Sequence, residues 1–337
     1  MKTAAMVADA PKGTLHLRDI ELGELRPDQV EIAVEHCGIC HSDLSMRDNE
    51  WGMTAYPFVP GHEVVGRVAA VGSQVKTVRP GQRVGLGWFA QSCMHCRQCM
   101  TGNHNLCPTG EQTIVGRMGG FASRVRCGAE WAIAIPEGLD AASAGPLFCG
   151  GITVFNPIVQ FGVKPTDRVG VVGIGGLGHL ALQFLNKWGC EVVAFTSTGA
   201  KQKEAMDLGA HRAVDSRSDA DLAANKGTID FLLVTANVTL NWQAYLDVLA
   251  PRGRMHMVGA VLEPIPVPAF ALIAGQKQIS GTPLGSPATT AQMLEFAARH
   301  KVRVVNERFK MRDANKAFEH LHAGKARYRL ILDNDLG

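Results

Sequence analysis

Short runs of β-branched and alternating residues separated by Gly/Pro turns dominate the first 150 positions: Val30–Val34, Glu63–Val71, Arg83–Leu86 and Ala122–Val125. Sustained helical periods are scarce there, which predicts a β-rich half with irregular loops. From Pro165 the pattern changes. Arg168–Gly173 reads as a buried strand, Gly176–Trp188 as a helix and Glu191–Phe195 as a second strand. A helix around Lys201–Leu208 follows, then strands near Ile229–Val234 and Arg254–Val258 with helical Leu240–Leu249 between them. Strand and helix alternating at this spacing predict an α/β doubly wound parallel sheet. After Gly285, Met293, Leu294, Phe296 and Ala297 mark one more helix, and a β/α/β tail (Val302–Phe309, Ala314–His322, Arg329–Leu332) closes the chain. The tail is too short for a domain of its own. It is expected to join residues 1–150, so that 286–337 and 1–150 form one domain and 151–285 the other. No internal repeat or low-complexity segment interrupts this order.

Composition adds bounds. At 337 residues the chain exceeds the size at which one core stops growing, which agrees with two domains. It is 46% hydrophobic and 19% charged, with a net charge of +3 and no block of like charge, so neither a nucleic acid nor a membrane surface is an expected partner. The apolar start is broken by Asp9 and Pro11, too early for a signal-peptide core. The longest apolar region, Val169 to Leu185, is glycine-rich and carries His179 and Gln183, so it reads as core strand and helix. A cytoplasmic location is expected.

Gly173-Ile174-Gly175-Gly176-Leu177-Gly178 follows a strand and opens a helix. In a βαβ unit this spacing allows a tight turn, a close approach of backbone to a pyrophosphate and close helix–strand packing; outside one it is only a glycine turn. An NAD site offers a carboxylate about 20 positions on, for the ribose 2′-OH. Here Phe195 is followed by Thr196, Ser197, Thr198 and then Lys201, with no acid. Hydroxyls and a cation suit a 2′-phosphate, so NADP(H) is the expected cofactor; an ordinary polar turn is the rival reading.

Nine cysteines raise the question of disulfides, but Cys93, Cys96 and Cys99 recur every three residues and Cys107 follows closely. Four thiolates at this density suit a closed, structural zinc site. An iron–sulfur cluster is the rival; the seven-residue gap before Cys107 and the lack of a second cluster motif argue against it. A zinc-ribbon nucleic-acid binder would need basic and aromatic residues between these cysteines, and, histidines aside, only Arg97 is basic there. A second set is scattered: Cys40-His41-Ser42-Asp43 in an expected short turn, His62-Glu63 at the start of a strand, and Cys149 beside Phe148. Two thiolates and an imidazole make a catalytic zinc set, but spacing alone does not assemble them, and inert core residues are the rival.

These motifs, taken in order, carry a resemblance. His36 to Leu44, Gly61 to Gly66, the four-cysteine stretch, Pro146 to Thr153 and the glycine loop resemble, over essentially the whole chain, the zinc-dependent medium-chain alcohol dehydrogenases in their cinnamyl-alcohol-dehydrogenase-like branch. The resemblance implies a GroES-like β-rich catalytic domain split by a Rossmann domain. It implies two zinc ions per chain, a catalytic one on Cys40, His62 and Cys149 with Glu63 able to approach, and a structural one on Cys93, Cys96, Cys99 and Cys107. Asp43 would orient His62, Ser42 would hydrogen-bond the alcohol, and His41 and Thr153 would lie at the cofactor. Trp51, Trp88 and Phe148 are candidates for the substrate pocket, with core packing as the alternative. The implied reaction is hydride transfer between NADP(H) and a primary alcohol/aldehyde pair in a homodimer or homotetramer. An NAD-dependent polyol or formaldehyde dehydrogenase, or a non-catalytic zinc protein, are the alternatives. One position departs: many relatives have histidine three residues after the Ser42 position, and this chain has Ser45. Serine does not titrate near neutrality; either water completes the proton route, or alcohol oxidation is slower, its pH optimum shifts and the reaction is biased toward aldehyde reduction.

Overall fold

The computed structural model describes residues 2–337. In chain order, β1 (Lys2–Val7) and β2 (His16–Glu21) pair as a hairpin before β3 (Gln29–Ile39), which runs into α1 (His41–Asp48). Next come β4 (Val64–Val71), β5 (Arg83–Leu86), β6 (Phe89–Gln91), α2 (Arg97–Met100), β7 (Glu111–Gln112), β8 (Arg124–Gly128) and β9 (Ile133–Ala134). α3 (Gly150–Gln160) leads to β10 (Arg168–Val172), α4 (Gly178–Trp188), β11 (Glu191–Thr196), α5 (Gly199–Asp207), β12 (Arg212–Asp215) and α6 (Asp219–Ala224). β13 (Ile229–Val234), α7 (Trp242–Val248), β14 (Leu249–Met257), α8 (Ala269–Ile273) and β15 (Gln278–Gly281) follow. The chain ends with α9 (Pro287–His300), β16 (Asn306–Lys310), α10 (Ala314–His322) and β17 (Arg329–Asp333).

The chain divides into two compact units, one holding the residues through Ile152 together with Gly285–Gly337, the other Thr153–Leu284. In the first, a seven-stranded sheet has the order β16-β17-β3-β4-β5-β9, with β8 also paired to β3. β3 is its spine. Its register sets Cys37 opposite Val64 on β4 and opposite Leu332 on β17, so β17 lies beside β3.

In the second unit the six strands run parallel in the order β12-β11-β10-β13-β14-β15. The order reverses at β10, the switch point from which the glycine loop leaves. Val169, Val171 and Val172 of β10 are buried, as a strand covered on both faces requires.

Several stretches differ from the expectation: β14 begins at Leu249, expected to be helical, rather than at Arg254, and β8 covers Arg124–Gly128 rather than Ala122–Val125. Cys40–Asp43 is not a turn but the N-cap and first turn of α1. Only Leu44 and Met46 provide buried apolar positions there, too few to display a helical period. The strand expected from Val302 begins only at Asn306, because Lys301 closes α9 in the left-handed conformation (φ 55°) and the Val302 N–H returns to the Ala297 carbonyl.

Among the described residues no single helix is long and apolar enough to cross a membrane.

Candidate metal centres and dinucleotide loop

The first centre is built by Asp43. Its carboxylate is wholly buried: Oδ2 accepts the Cys40 N–H (2.9 Å), and Oδ1 accepts the Gly61 N–H (2.8 Å) and pairs with His62 Nδ1 (2.9 Å). One side chain therefore caps α1 and fixes the imidazole so that Nε2 is turned to the cysteines. Cys149 arrives at the end of a 3₁₀ turn over Gly145–Phe148. Its Sγ lies 3.3 Å from His62 Nε2 and 4.0 Å from Cys40 Sγ. One ligand atom each from Cys40, His62, Glu63 and Cys149 falls within a mutual 4.8 Å. Tetrahedral zinc with bonds of about 2.0–2.3 Å needs ligand separations of about 3.3–3.8 Å, so this donor set fits the ion.

The electrostatics suit a cation. A hydrogen bond with Cys149, then the His62 partner, holds the Cys40 thiol well below the usual thiol range despite burial. Burial pulls His62 down, but the Asp43 charge and hydrogen bond, joined by Cys40, push it well above the usual imidazole range. Burial raises Glu63, and one of its oxygens is paired with Arg329. The other, Oε2, is buried without a hydrogen-bond partner, an unsatisfied acceptor on a residue of this cluster. Gly38 makes room for it: a Cβ there would stand 2.1 Å from Glu63 Oε2. Arg329 was not legible as a site residue. It begins β17, and the pairing of Leu330 with Ile39 sets it beside Cys40; the only signal in the sequence is a charge opening an apolar strand.

Around this centre, Ser42 Oγ is 3.6 Å from Cys40 Sγ. The Trp88 indole meets His62 edge-on at 5.0 Å, and Trp51 packs against Trp88 at 6.1 Å, both half-buried. Phe148 is placed otherwise: it is 2% exposed with its ring against Gly85, a core residue rather than a pocket wall. His41 is exposed on the first turn of α1, and Ser45 is half-buried on the same helix.

The second centre joins Cys93, Cys96, Cys99 and Cys107, whose sulfurs also lie within a mutual 4.8 Å. Cys93 and Cys99 are 4.0 Å apart, as are Cys96 and Cys107, far beyond a disulfide of about 2.05 Å and close to the edge of a zinc–thiolate tetrahedron. Backbone N–H groups of Cys93, Cys96 and Cys99 donate to Cys107, Cys93 and Cys96 sulfurs. Hydrogen bonds from the His95 and Cys96 backbone bring the Cys93 thiol down to about 6. The lobe is tied to the sheet through Ser92, whose N–H donates to Glu130 and whose Oγ accepts the Trp131 indole N–H. All nine cysteines are free thiols; Cys37, Cys127 and Cys190 are buried and belong to neither cluster.

In the other unit, Gly173 turns with φ +88°, and a Cβ on Gly178 would strike the Gly173 carbonyl at 2.1 Å. Around Gly175 nothing lies within 4 Å of a Cβ position, so the backbone is open to a phosphate. No side chain caps α4, whose His179 and Leu180 N–H groups turn back to the Gly175 and Leu177 carbonyls. The missed support is Thr235, whose hydroxyl donates to the Gly173 carbonyl. At the end of β11, Thr196 is buried, Ser197 half-buried and Thr198 exposed; Thr198 Oγ1 accepts the Lys201 N–H and caps α5. Thr153 is 9% exposed on α3.

Comparison with known proteins agrees with this arrangement. The Alcohol dehydrogenase GroES-like domain family matches residues 26–137, and the Zinc-binding dehydrogenase family matches residues 176–299. The chain is 52% identical over 330 residues to aldehyde reductase AdhA of Synechocystis, covering 98% of each. It superimposes on a cinnamyl alcohol dehydrogenase of Sorghum bicolor with a TM-score of 0.95 at 35% identity, over 100% of this chain and 99% of that one. A Helicobacter pylori cinnamyl alcohol dehydrogenase solved with NADP(H) gives 0.90 at 26% identity, over 99% of each chain. With a GroES-like unit, a Rossmann-like parallel sheet and both cysteine centres assembled, the chain belongs to the zinc-binding alcohol dehydrogenase family, in its cinnamyl-alcohol-dehydrogenase-like branch.

Proposed function

We propose that the chain is a zinc-dependent oxidoreductase that transfers a hydride between NADP(H) and a primary alcohol/aldehyde pair, and that it works chiefly as an aldehyde reductase. The observation that carries this reading is the convergence of Cys40, His62 and Cys149, with His62 held by buried Asp43. Two thiolates and an imidazole leave a fourth position for a substrate oxygen. Zinc bound there would supply Lewis-acid polarisation, and NADPH bound at the glycine loop would supply the hydride.

The chain's own residues do the rest. Ser42 Oγ, beside Cys40, would hydrogen-bond the substrate oxygen and hand it a proton as the alcohol forms. Trp88 and Trp51 provide an apolar, water-excluding wall next to His62, which favours an aromatic or aliphatic aldehyde over a polyol. His41 and Thr153 are assigned to the cofactor, and Thr196, Ser197, Thr198 and Lys201 to its 2′-phosphate. The absence of a carboxylate directly after Phe195 speaks against the NAD-linked alternative, and the presence of every zinc ligand speaks against a non-catalytic protein. The names of the relatives support the same reading. Residues 1–150 with 286–337 would carry the catalytic centre and 151–285 the cofactor, in a cytoplasmic homodimer or homotetramer.

The direct test is NADPH oxidation against a panel of aromatic and aliphatic aldehydes, with NADH and chelator controls. Turnover with NADPH that stops on zinc removal is expected; no turnover with any aldehyde despite bound zinc would overturn the proposal. Ser45 sets the direction. Ser45→His is expected to raise alcohol oxidation and move its pH–rate profile, because an imidazole adds a base that titrates near neutrality. An unchanged profile would remove Ser45 from the account.

A further inference from the structure

The corner of the parallel sheet where β11 and β12 end holds a cation that the sequence pattern does not single out. Thr196 and Asp215 are register partners at the ends of these two strands, and the Ser216 N–H continues the ladder to the Thr196 carbonyl. Arg217 follows immediately. Its backbone is fixed on both sides, because Asp215 Oδ1 accepts its N–H (2.9 Å) and Ser218 caps α6. Its side chain reaches across to β11, where Nη2 donates to the Ser197 carbonyl.

That placement calls for a purpose other than stability. The Arg217 side chain is 67% exposed, and its Nε is 4.0 Å from Asp215 Oδ1, a surface pair that contributes little. Of five N–H donors, one goes to the Ser197 carbonyl and Nε lies near Asp215, which leaves donors over on an exposed side chain next in space to the Thr196–Thr198 turn. In this fold the end of the second strand is where the ribose 2′ position is recognised. Lys201 is an exposed flexible ammonium in the first turn of α5, whereas Arg217, just past the end of β12, is a planar fork already held at the Ser197 carbonyl. Asp215, which by itself would repel an anion at this corner, faces the guanidinium.

We propose that Arg217 is a specificity-determining residue, a second cation beside Lys201 for the 2′-phosphate of NADP(H), pre-set over the cofactor turn by its hydrogen bond to Ser197. The assignment rests on the NADP(H) reading above.

Dissociation constants of NADPH, NADH, adenosine 2′,5′-bisphosphate and 5′-AMP, measured calorimetrically at fixed ionic strength for wild type, Arg217→Ala, Arg217→Lys and Lys201→Ala, test it. Arg217→Ala is expected to weaken NADPH and the bisphosphate by about tenfold while NADH and 5′-AMP stay within about twofold, with Arg217→Lys recovering part of the loss. Undiminished NADPH binding in Arg217→Ala alongside weakened binding in Lys201→Ala would overturn the role of Arg217 and leave the NADP(H) reading standing. An equal loss for NADH and NADPH would also overturn it, by making Arg217 a support for the turn. Wild type binding NADH as tightly as NADPH would instead bring down the NADP(H) reading, and this proposal with it.

Discussion

Asp43→Asn probes the carboxylate on which the catalytic centre is hung. Asp43 serves three N–H groups with two oxygens: Cys40 on Oδ2, Gly61 and His62 on Oδ1. An amide keeps the shape but has one oxygen, so one side of the arrangement must face an NH₂ group. The less damaging orientation keeps oxygen toward Gly61 and His62 and sets donor against donor at Cys40. Leaving that buried N–H unsatisfied costs about 1–3 kcal/mol, and the bond to His62 loses its charge assistance, about 1 kcal/mol more. The expected loss of stability is therefore about 2–4 kcal/mol. Because the N-cap being disturbed is itself a zinc ligand, affinity at this centre is expected to fall by about 10–100-fold. Chelator competition with metal analysis reads the second effect, and denaturant unfolding of the zinc-loaded enzyme reads the first. The zinc on Cys93, Cys96, Cys99 and Cys107 serves as the internal control. Retention of both zinc ions at wild-type affinity, with stability within about 0.5 kcal/mol of wild type, would refute the reasoning.

Two other buried or half-buried charges give sharp expectations. Arg329→Met strands the Glu63 carboxylate in the interior and is expected to destabilise the protein by about 3–5 kcal/mol in denaturant unfolding, with much of the loss recovered in the Arg329→Met/Glu63→Gln double variant. Independent, additive effects of the two changes would contradict the pairing. Partial burial pushes Asp333 up, but hydrogen bonds from Arg308 and then His36 outweigh it and hold its carboxyl below the usual range. A group held low when folded contributes stability that is present above its unfolded value of about 3.9 and is lost as pH falls through the lowered one. The difference in melting temperature between wild type and Asp333→Asn should thus be steady from about pH 7 to about pH 5 and shrink below about pH 4. A difference that grows toward acid would contradict this.

The parallel sheet was legible because its signals are local: buried strands, a helical period and the Gly173–Gly178 spacing all fall within one βαβ stretch. The four-cysteine lobe was legible for the same reason. What could not be read from spacing lies in partners far apart along the chain. α1 is held by Asp43, whose remaining partners are at Gly61 and His62, so a local reading sees only a turn. The trio of Cys40, His62 and Cys149 needs the antiparallel pairing of β3 with β4 to assemble, and Arg329 needs the pairing of β17 with β3, some 290 positions away. Only the family resemblance anticipated the trio, and nothing anticipated Arg329 or Arg217. Phe148, an aromatic beside a ligand, invited a pocket assignment, but the absence of a side chain at Gly85 draws its ring into the core.

The central claim is that reduction depends on the Cys40–His62–Cys149 centre while the cofactor is carried elsewhere in the chain. Cys149→Ala, purified with the four-cysteine zinc in place, isolates it. The account predicts that this variant binds NADPH as tightly as wild type, contains one zinc per chain instead of two, and reduces no aldehyde that wild type reduces. Wild-type rates of NADPH-dependent aldehyde reduction by a Cys149→Ala enzyme lacking that zinc would contradict it.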